Sequence, residues 1–411
     1  MRILVVSTRF PYPPRWGFAT RVYQLARLLA RRDQVTLLCP AEGVEPADVE
    51  LLRAELEVEI VERAGGTAAR SKRATQLASL AGGRSFHLRE FEGPELQDAL
   101  ARLCSERRFD VVQLESSLLG ELEIPAGPAV VLDEHNVEYE VFERMSEGER
   151  SPLRRAFYRL ESSRFRPFEQ RLWRAVDGCA VTSPRDAREV EAHAPETAVA
   201  VVPNGVDVDY FRPVARRVEP RSLVFNGVLD YRPNLDGAWF LVDEIMPRLR
   251  ARFPDVSATI VGRGAQADLA RLRRAGAQVT GEVPDVRPHL ASAAVVVVPL
   301  RIGGGTRLKV VEGLALGRPM VTTALGCEGI DVVDGEHLLV RDDPEQFAAG
   351  VESLFADPDL GQRLGATGRR LMESAYSWEA AASRLRSLHE HVRLDDRSSP
   401  PSRPPAAVAG R

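Results

Sequence analysis

The sequence predicts an α/β protein of two doubly wound domains facing each other across a cleft. Three observations predict it. Short runs of Val, Ile and Leu alternate with helical patterns from end to end, the pattern of parallel sheets covered on both faces. The alternation runs once to about residue 202 and restarts at "SLVFNGVLD". The length of 411 residues exceeds one ordinary core and suits two domains plus a tail.

Arg2 to Val6 reads as the first strand. Phe18 to Arg31 carries Val22, Leu25, Leu28 and Leu29 on one helical face. Further strands are expected at Val35–Leu38, Val111–Leu114, Ala129–Leu132, Gly178–Thr182 and Ala198–Val202. In the second half, "SLVFNGVLD", "VSATIVG", "AAVVVVPL" and "PMVTT" read as strands. Helices are expected near Asn234–Arg252, Gln266–Ala275 and Thr306–Gly317. Between the halves, "VVPNGVDVDYFRP" holds two prolines and an Asn-Gly turn, the mark of a hinge. The expected division is a first domain over 1–202, a linker over 203–213, a second domain over 214–375, a helix over 376–395 that packs back on the first domain, and a disordered Pro- and Ser-rich tail over 396–411.

Composition narrows the function classes. Hydrophobic residues make up 44% and charged residues 28%, as in a globular protein, and the net charge of −4 gives no general attraction to nucleic acid. Cys39, Cys104, Cys179 and Cys327 are scattered with no CxxC pair, so neither a zinc ribbon nor a disulfide scaffold is expected, and a reducing cytoplasm fits. No apolar run is long enough to span a bilayer, and "MRILVVSTRF" reads as a strand rather than an export signal.

The chemistry concentrates where the strand "ASAAVVVVPL" ends and "RIGGGTRLKVVEGLALGRP" begins. Gly303, Gly304 and Gly305 free the backbone and remove side-chain bulk, so their N–H groups can converge on an anion. The helix opening near Thr306 adds the positive end of its dipole, and Arg307 and Lys309 add two full charges. The assembly suits a diphosphate and can stabilise it as it departs. Glu312, further into the helix, suits two vicinal sugar hydroxyls, the usual ribose contact.

On these residues, "GGGTRLKVVEGLALGRPMVTT" resembles the donor-binding segment of GT-B glycosyltransferases of family GT4, in a GGGTRLK-type subgroup. "VVPNGVDVDYFRP" resembles that family's linker, and "RFPYPPRWGFATRVYQLARLLARRDQVTLL" its N-terminal opening. The resemblance covers about residues 1–395. It implies two Rossmann-like domains and retaining transfer from a UDP-, GDP- or dTDP-sugar to a glycan, lipid-linked or small-molecule acceptor, without cofactor or metal. Two departures stand out. The first of the family's two glutamates is replaced by Gly304, and the usual arginine early in the second domain by Val228, with Arg232 nearby.

The resemblance also places His135, just past a strand end in "VVLDEHNVEYE", near the reacting sugar, with Asp133 and Glu134 as acceptor contacts. Gly17 matches a glycine that approaches the donor phosphate. Arg15, a further acceptor candidate, and Arg21 flank it and also read as surface charges. The stretch 150–174 is basic and amphipathic, a candidate for peripheral contact with an anionic membrane at its inner face.

Other patterns support rivals. "VGRGAQA" at 261–267 followed by Glu282 fits a dinucleotide pattern and an NAD enzyme. An epimerase of nucleotide-sugars and a non-catalytic nucleotide-sugar binder share the expected architecture. "DVD" at 207–209 reads as a turn, and "HEH" at 389–391 puts its histidines on different helical faces, so no metal site is assigned.

Overall fold

The computed structural model describes residues 1–14, 16–42, 44–62, 85–91, 94–149, 151–214, 216–302 and 308–396. The chain divides into two compact units: Met1–Pro203 together with the residues from Ala381 onward, and Asn204–Ala380.

The first unit is built on seven strands: β1 (Arg2–Ser7), β2 (Gln34–Pro40), β3 (Glu57–Val61), β4 (Val111–Glu115), β5 (Ala129–Glu134), β6 (Gly178–Val181) and β7 (Ala198–Val201). They lie in the order β3-β2-β1-β4-β5-β6-β7, every pair parallel. The order reverses between β1 and β4, where Ser7 sits opposite Glu115. The helix Gly17–Ala30 buries Val22, Leu25, Leu28 and Leu29 as the periodicity requires, and Arg21 with them.

The basic amphipathic stretch forms the helix Pro152–Ala175, running through Pro167. Its apolar stripe does not face outward: Phe165, Phe168, Leu172 and Trp173 are core residues. Exposed Leu153, at 83%, stands apart from that stripe, so the apolar face expected to meet a membrane is already used. Among the described residues no helix is long and apolar enough to cross a membrane.

The last helix, Trp378–Asp396, lays Leu388 and Val392 against Gly178 of β6. Its Arg386 donates to Asp33 at 2.9 Å, and Asp33 also takes the N-terminal ammonium at 2.5 Å. His389, on the same helix, is fully buried, and neither ring nitrogen meets a partner among the described residues. Burial pushes its pKa down to about 4.

The second unit has six strands: β8 (Glu219–Asn226), β9 (Ser257–Val261), β10 (Gln278–Gly281), β11 (Ala293–Val298), β12 (Met320–Thr322) and β13 (Leu339–Val340). Their order is β10-β9-β8-β11-β12-β13, again all parallel, with the reversal between β8 and β11. The strand expected over "SLVFNGVLD" stops at Asn226, and the chain then turns into the helix Arg232–Phe240. The single helix expected to Arg252 is interrupted by a π-helical turn at Leu241–Ile245 before Met246–Arg252. Pro247 accounts for it, since its ring cannot donate a backbone hydrogen bond and crowds the preceding turn.

Two glycines carry close approaches. Gly262, at the end of β9, has φ +152°, and a Cβ there would lie 1.9 Å from the Gly227 carbonyl. The helix Pro358–Ala375 packs on the helix Leu308–Ala315 through glycines: a Cβ at Gly365 would lie 2.1 Å from the Gly317 carbonyl, and one at Gly368 2.7 Å from Leu314.

Candidate functional site

In an open parallel sheet, ligands collect beyond the carboxyl ends of the strands where the order reverses. Each unit has a polar cluster at that place.

In the first unit the cluster is Arg21, Glu115, Asp133 and His135. The Arg21 guanidinium grips Asp133 with two bonds, Nε to Oδ2 at 2.9 Å and Nη2 to Oδ1 at 2.6 Å, and donates to the Val202 carbonyl at 2.8 Å. Both side chains are fully buried. Arg21 is therefore not a surface charge, and Asp133 is not placed for an acceptor, because its carboxylate is fully buried against Arg21. Burial alone would raise the Asp133 carboxyl; Arg21 and His135 outweigh it and hold it below the usual range.

His135 Nε2 lies 2.8 Å from Glu115 Oε2 and 3.7 Å from Asp133 Oδ2. The other Glu115 oxygen accepts from Gln113 Nε2 at 2.6 Å. Burial, with Asp133 beside it, raises the Glu115 pKa, and the imidazole opposes that. The His135 ring stacks on Phe18, centroids 4.8 Å apart and planes inclined by 28°. Ligand atoms of Glu115, Asp133 and His135 lie within 4.8 Å of one another, close enough to surround a cation. The bidentate Arg21 already supplies positive charge there.

Glu134 points to the other face of β5, as strand alternation requires. Its Oε2 accepts from Trp173 Nε1 at 3.0 Å, and burial lifts its pKa to about 8. It too is closed to an acceptor. Nearby, Glu169 accepts from Ser117 Oγ at 2.9 Å and from the Glu138 and Tyr139 amides at 3.0 and 3.2 Å, tying together two helices. Gly17 opens its helix at an exposed position, and Arg15 lies outside the described residues.

In the second unit, Gly303, Gly304, Gly305, Thr306 and Arg307 lie outside the described residues. Lys309 and Glu312 are on the helix Leu308–Ala315 that follows β11. Lys309 Nζ donates to Asn234 Oδ1 at 2.7 Å and sits 5.6 Å from the Phe225 ring centroid. Asn234 in turn donates to the Val228 carbonyl at 2.9 Å. Glu312 Oε2 accepts from Asn226 Nδ2 at 3.2 Å. Burial pushes Glu312 up to about 7, against the pull of Asn226 and Lys309. Asn226 Oδ1 is buried with no partner among the described residues. Asn226 and Asn234 escaped the sequence reading; their signal was a polar residue ending a buried strand and an Asn opening a helix beside it.

Several rival motifs find structural explanations. Gly262 of "VGRGAQA" is required by the backbone of Gly227. Asp207 of "DVD" accepts from the amides of Asp209 and Tyr210 at 3.1 and 2.8 Å, an ordinary turn. Arg301, which opens the glycine-rich stretch, turns to Asp236 and Glu244, and Arg232 is exposed at the start of its helix.

Two parallel-sheet α/β units of seven and six strands are the GT-B glycosyltransferase fold. Solved structures agree over nearly the whole chain. Sucrose-phosphate synthase (tll1590) from Thermosynechococcus elongatus matches with a TM-score of 0.69 at 18% identity, over 96% of this chain and 100% of that one. Anabaena Alr3699/HepE in complex with UDP matches with a TM-score of 0.67 at 14% identity, over 95% and 100%.

The family follows from sequence. Residues 17–210 match the model "Glycosyltransferase Family 4" and residues 220–357 the model "Glycosyl transferases group 1"; the chain belongs to this family, GT4. Glycogen synthase of Mycobacterium tuberculosis is 28% identical over 220 residues, 50% of this chain and 51% of that protein. Phosphatidyl-myo-inositol mannosyltransferase of the same organism is 30% identical over 221 residues, 50% of this chain and 57% of that protein. The chain thus spans about half the length of the curated relatives it matches.

Proposed function

We propose that the chain is a retaining glycosyltransferase that moves a sugar from a nucleotide diphosphate sugar to an acceptor hydroxyl on a glycan, a lipid carrier or a small molecule. The observation that carries this reading is the pairing of Lys309 and Glu312 at the reversal point of the second sheet, each fixed by an asparagine. Lys309, with Arg307, is assigned to the leaving diphosphate. Its charge is held where the family's usual arginine is replaced by Val228, since Asn234 bridges the ammonium to the Val228 carbonyl. Glu312 is assigned to the ribose hydroxyls, with the open Asn226 Oδ1 as a second acceptor beside it. Gly303, Gly304, Gly305 and Thr306 are assigned to the phosphate oxygens, and Gly17 and His135 to the sugar end.

Relatives support the substrate class. HepE was solved with UDP and with UDP-glucose, and one mannosyltransferase relative is named for GDP-mannose dependence. Cationic side chains and a helix terminus supply the charge stabilisation that departure of a diphosphate needs.

A thermal-shift screen against UDP-, GDP- and dTDP-sugars tests the donor, because a bound nucleotide stabilises in proportion to its occupancy. A rise in Tm with one donor, followed by a product whose anomeric configuration matches that donor by NMR, is the expected result. No shift with any of the three overturns the donor assignment. Epimerised donor in the absence of acceptor points to an epimerase, and binding without turnover to a non-catalytic nucleotide-sugar binder.

A further inference from the structure

We propose that Glu115 is a positioning residue for His135: the two form a carboxylate–imidazole pair that leaves Nδ1 as the ring atom offered to a substrate hydroxyl. The proposal rests on the glycosyltransferase reading above and adds a residue that neither the motifs nor the family resemblance singled out.

Two constraints meet on the ring. The 2.8 Å bond from Nε2 to Glu115 Oε2 fixes which ring edge faces the sheet. Stacking on Phe18 fixes the plane of the ring. Together they determine where Nδ1 points.

The carboxylate is itself held. Glu115 is buried at the end of β4, and Gln113, two residues earlier on the same strand, donates to its second oxygen at 2.6 Å. An ionised Glu115 only accepts, from Gln113 at one oxygen and from the imidazole at the other, and the proposed pair therefore has its imidazole proton on Nε2. Asp133 Oδ2, 3.7 Å from Nε2, lies beyond hydrogen-bond distance, whereas Glu115 Oε2 is within it.

Nδ1 has no partner among the described residues, and the side chain keeps 10% of its surface open. In this tautomer Nδ1 carries a lone pair and no hydrogen. It accepts a hydrogen bond from a hydroxyl and cannot donate one. Such a ring orients a sugar hydroxyl of donor or acceptor. A carboxylate behind a histidine is the usual means of fixing a tautomer.

The test uses the full chain and two readouts. The first is the ¹⁵N spectrum of labelled histidine, with the His135 signals assigned by their loss in His135→Asn. Wild type should show a protonated Nε2 and a bare Nδ1. Glu115→Gln, whose amide can donate or accept, should show mixed or inverted tautomers. Glu115→Asp, keeping the carboxylate, should restore the wild-type pattern at least in part. The second readout is steady-state transfer from UDP-glucose or GDP-mannose, whichever raises the Tm. Glu115→Gln should lower kcat by about ten- to a hundredfold with the donor KM unchanged.

A wild-type ring protonated on Nδ1 overturns the proposal, as does a Glu115→Gln enzyme with unaltered tautomer and unaltered kcat. If Glu115→Gln does not fold, judged by circular dichroism, the wild-type spectrum decides alone. A wild type with the expected tautomer but no transfer from any UDP-, GDP- or dTDP-sugar leaves the pair standing and removes the proposed transfer reaction instead.

Discussion

The two polar clusters occupy the same topological place, one per sheet, yet they are built in opposite ways. In the first unit two buried pairs dominate: Arg21 with Asp133, and His135 with Glu115. In the second, Lys309 and Glu312 each meet the amide of an asparagine, and Asn226 Oδ1 is buried with no partner among the described residues. A buried ion pair holds a fixed geometry, and removing one partner destabilises the fold. The amide-held pair beyond the second sheet is the one assigned to a ligand. Substitutions should therefore separate the two, folding stability responding in the first unit and ligand handling in the second.

The largest expected effect is on folding. Arg21→Ala leaves Asp133 buried without its counter-charge and should lower unfolding stability by about 3–5 kcal/mol, measured by urea denaturation. A loss below about 1 kcal/mol would erase the contrast between the clusters. Lys309→Ala should do the reverse. Turnover should fall on the order of ten- to a thousandfold, while the denaturation midpoint barely moves. Near-normal turnover would remove the phosphate assignment.

The pH dependence of stability gives the next test. His389 has a folded pKa of about 4 against an ordinary value near 6.5, so the unfolded chain binds its proton more readily. Its buried neutral form supports the fold fully above pH 6.5, and that support is lost as pH falls towards 4, by about 3 kcal/mol in all. His389→Phe should flatten this acid limb. Glu134 acts with the other sign. Its folded pKa of about 8 means that the folded state holds the proton, so stability declines as pH rises from about 4.5 through 8. Glu134→Gln should remove that alkaline decline.

The smallest effect is on binding. Glu312→Ala should weaken nucleotide affinity by about 1.5–3 kcal/mol, the range for a hydrogen bond to a charged group, as read by calorimetry with UDP or GDP. Because Glu312 titrates at about 7 and the ionised form accepts ribose hydroxyls better, wild-type affinity should rise as pH climbs through 7. Glu312→Gln should abolish that rise.

Legibility in the sequence tracked burial. Strands at the sheet centres, such as β1 and β11, carry unbroken apolar runs and could be placed from residue types alone. The strands that went unseen, β3, β10 and β13, are all at sheet edges, where half-exposed positions admit charges and glycine and where two residues suffice. Arg21 was misread although a signal existed: it shares a helical stripe with Leu25 and Leu28, four and seven residues on. What the sequence could not supply was its partner, 112 residues away on β5. Asp133 and Glu134 adjoin in sequence, but neighbours on a strand face opposite sides. Glu115 carries no motif; only parallel pairing of β4 with β5 brings it to His135.

The glycine seam between Pro358–Ala375 and the helix bearing Lys309 and Glu312 has an outcome for variation in this protein. The two rods are so near that one added methyl at Gly365 would strike the Gly317 carbonyl and tilt its neighbour. A random library should therefore reveal a second hot region, apart from the glycine-rich stretch, where even alanine is rejected. Tolerance maps read without the three-dimensional arrangement would mistake that region for another binding surface.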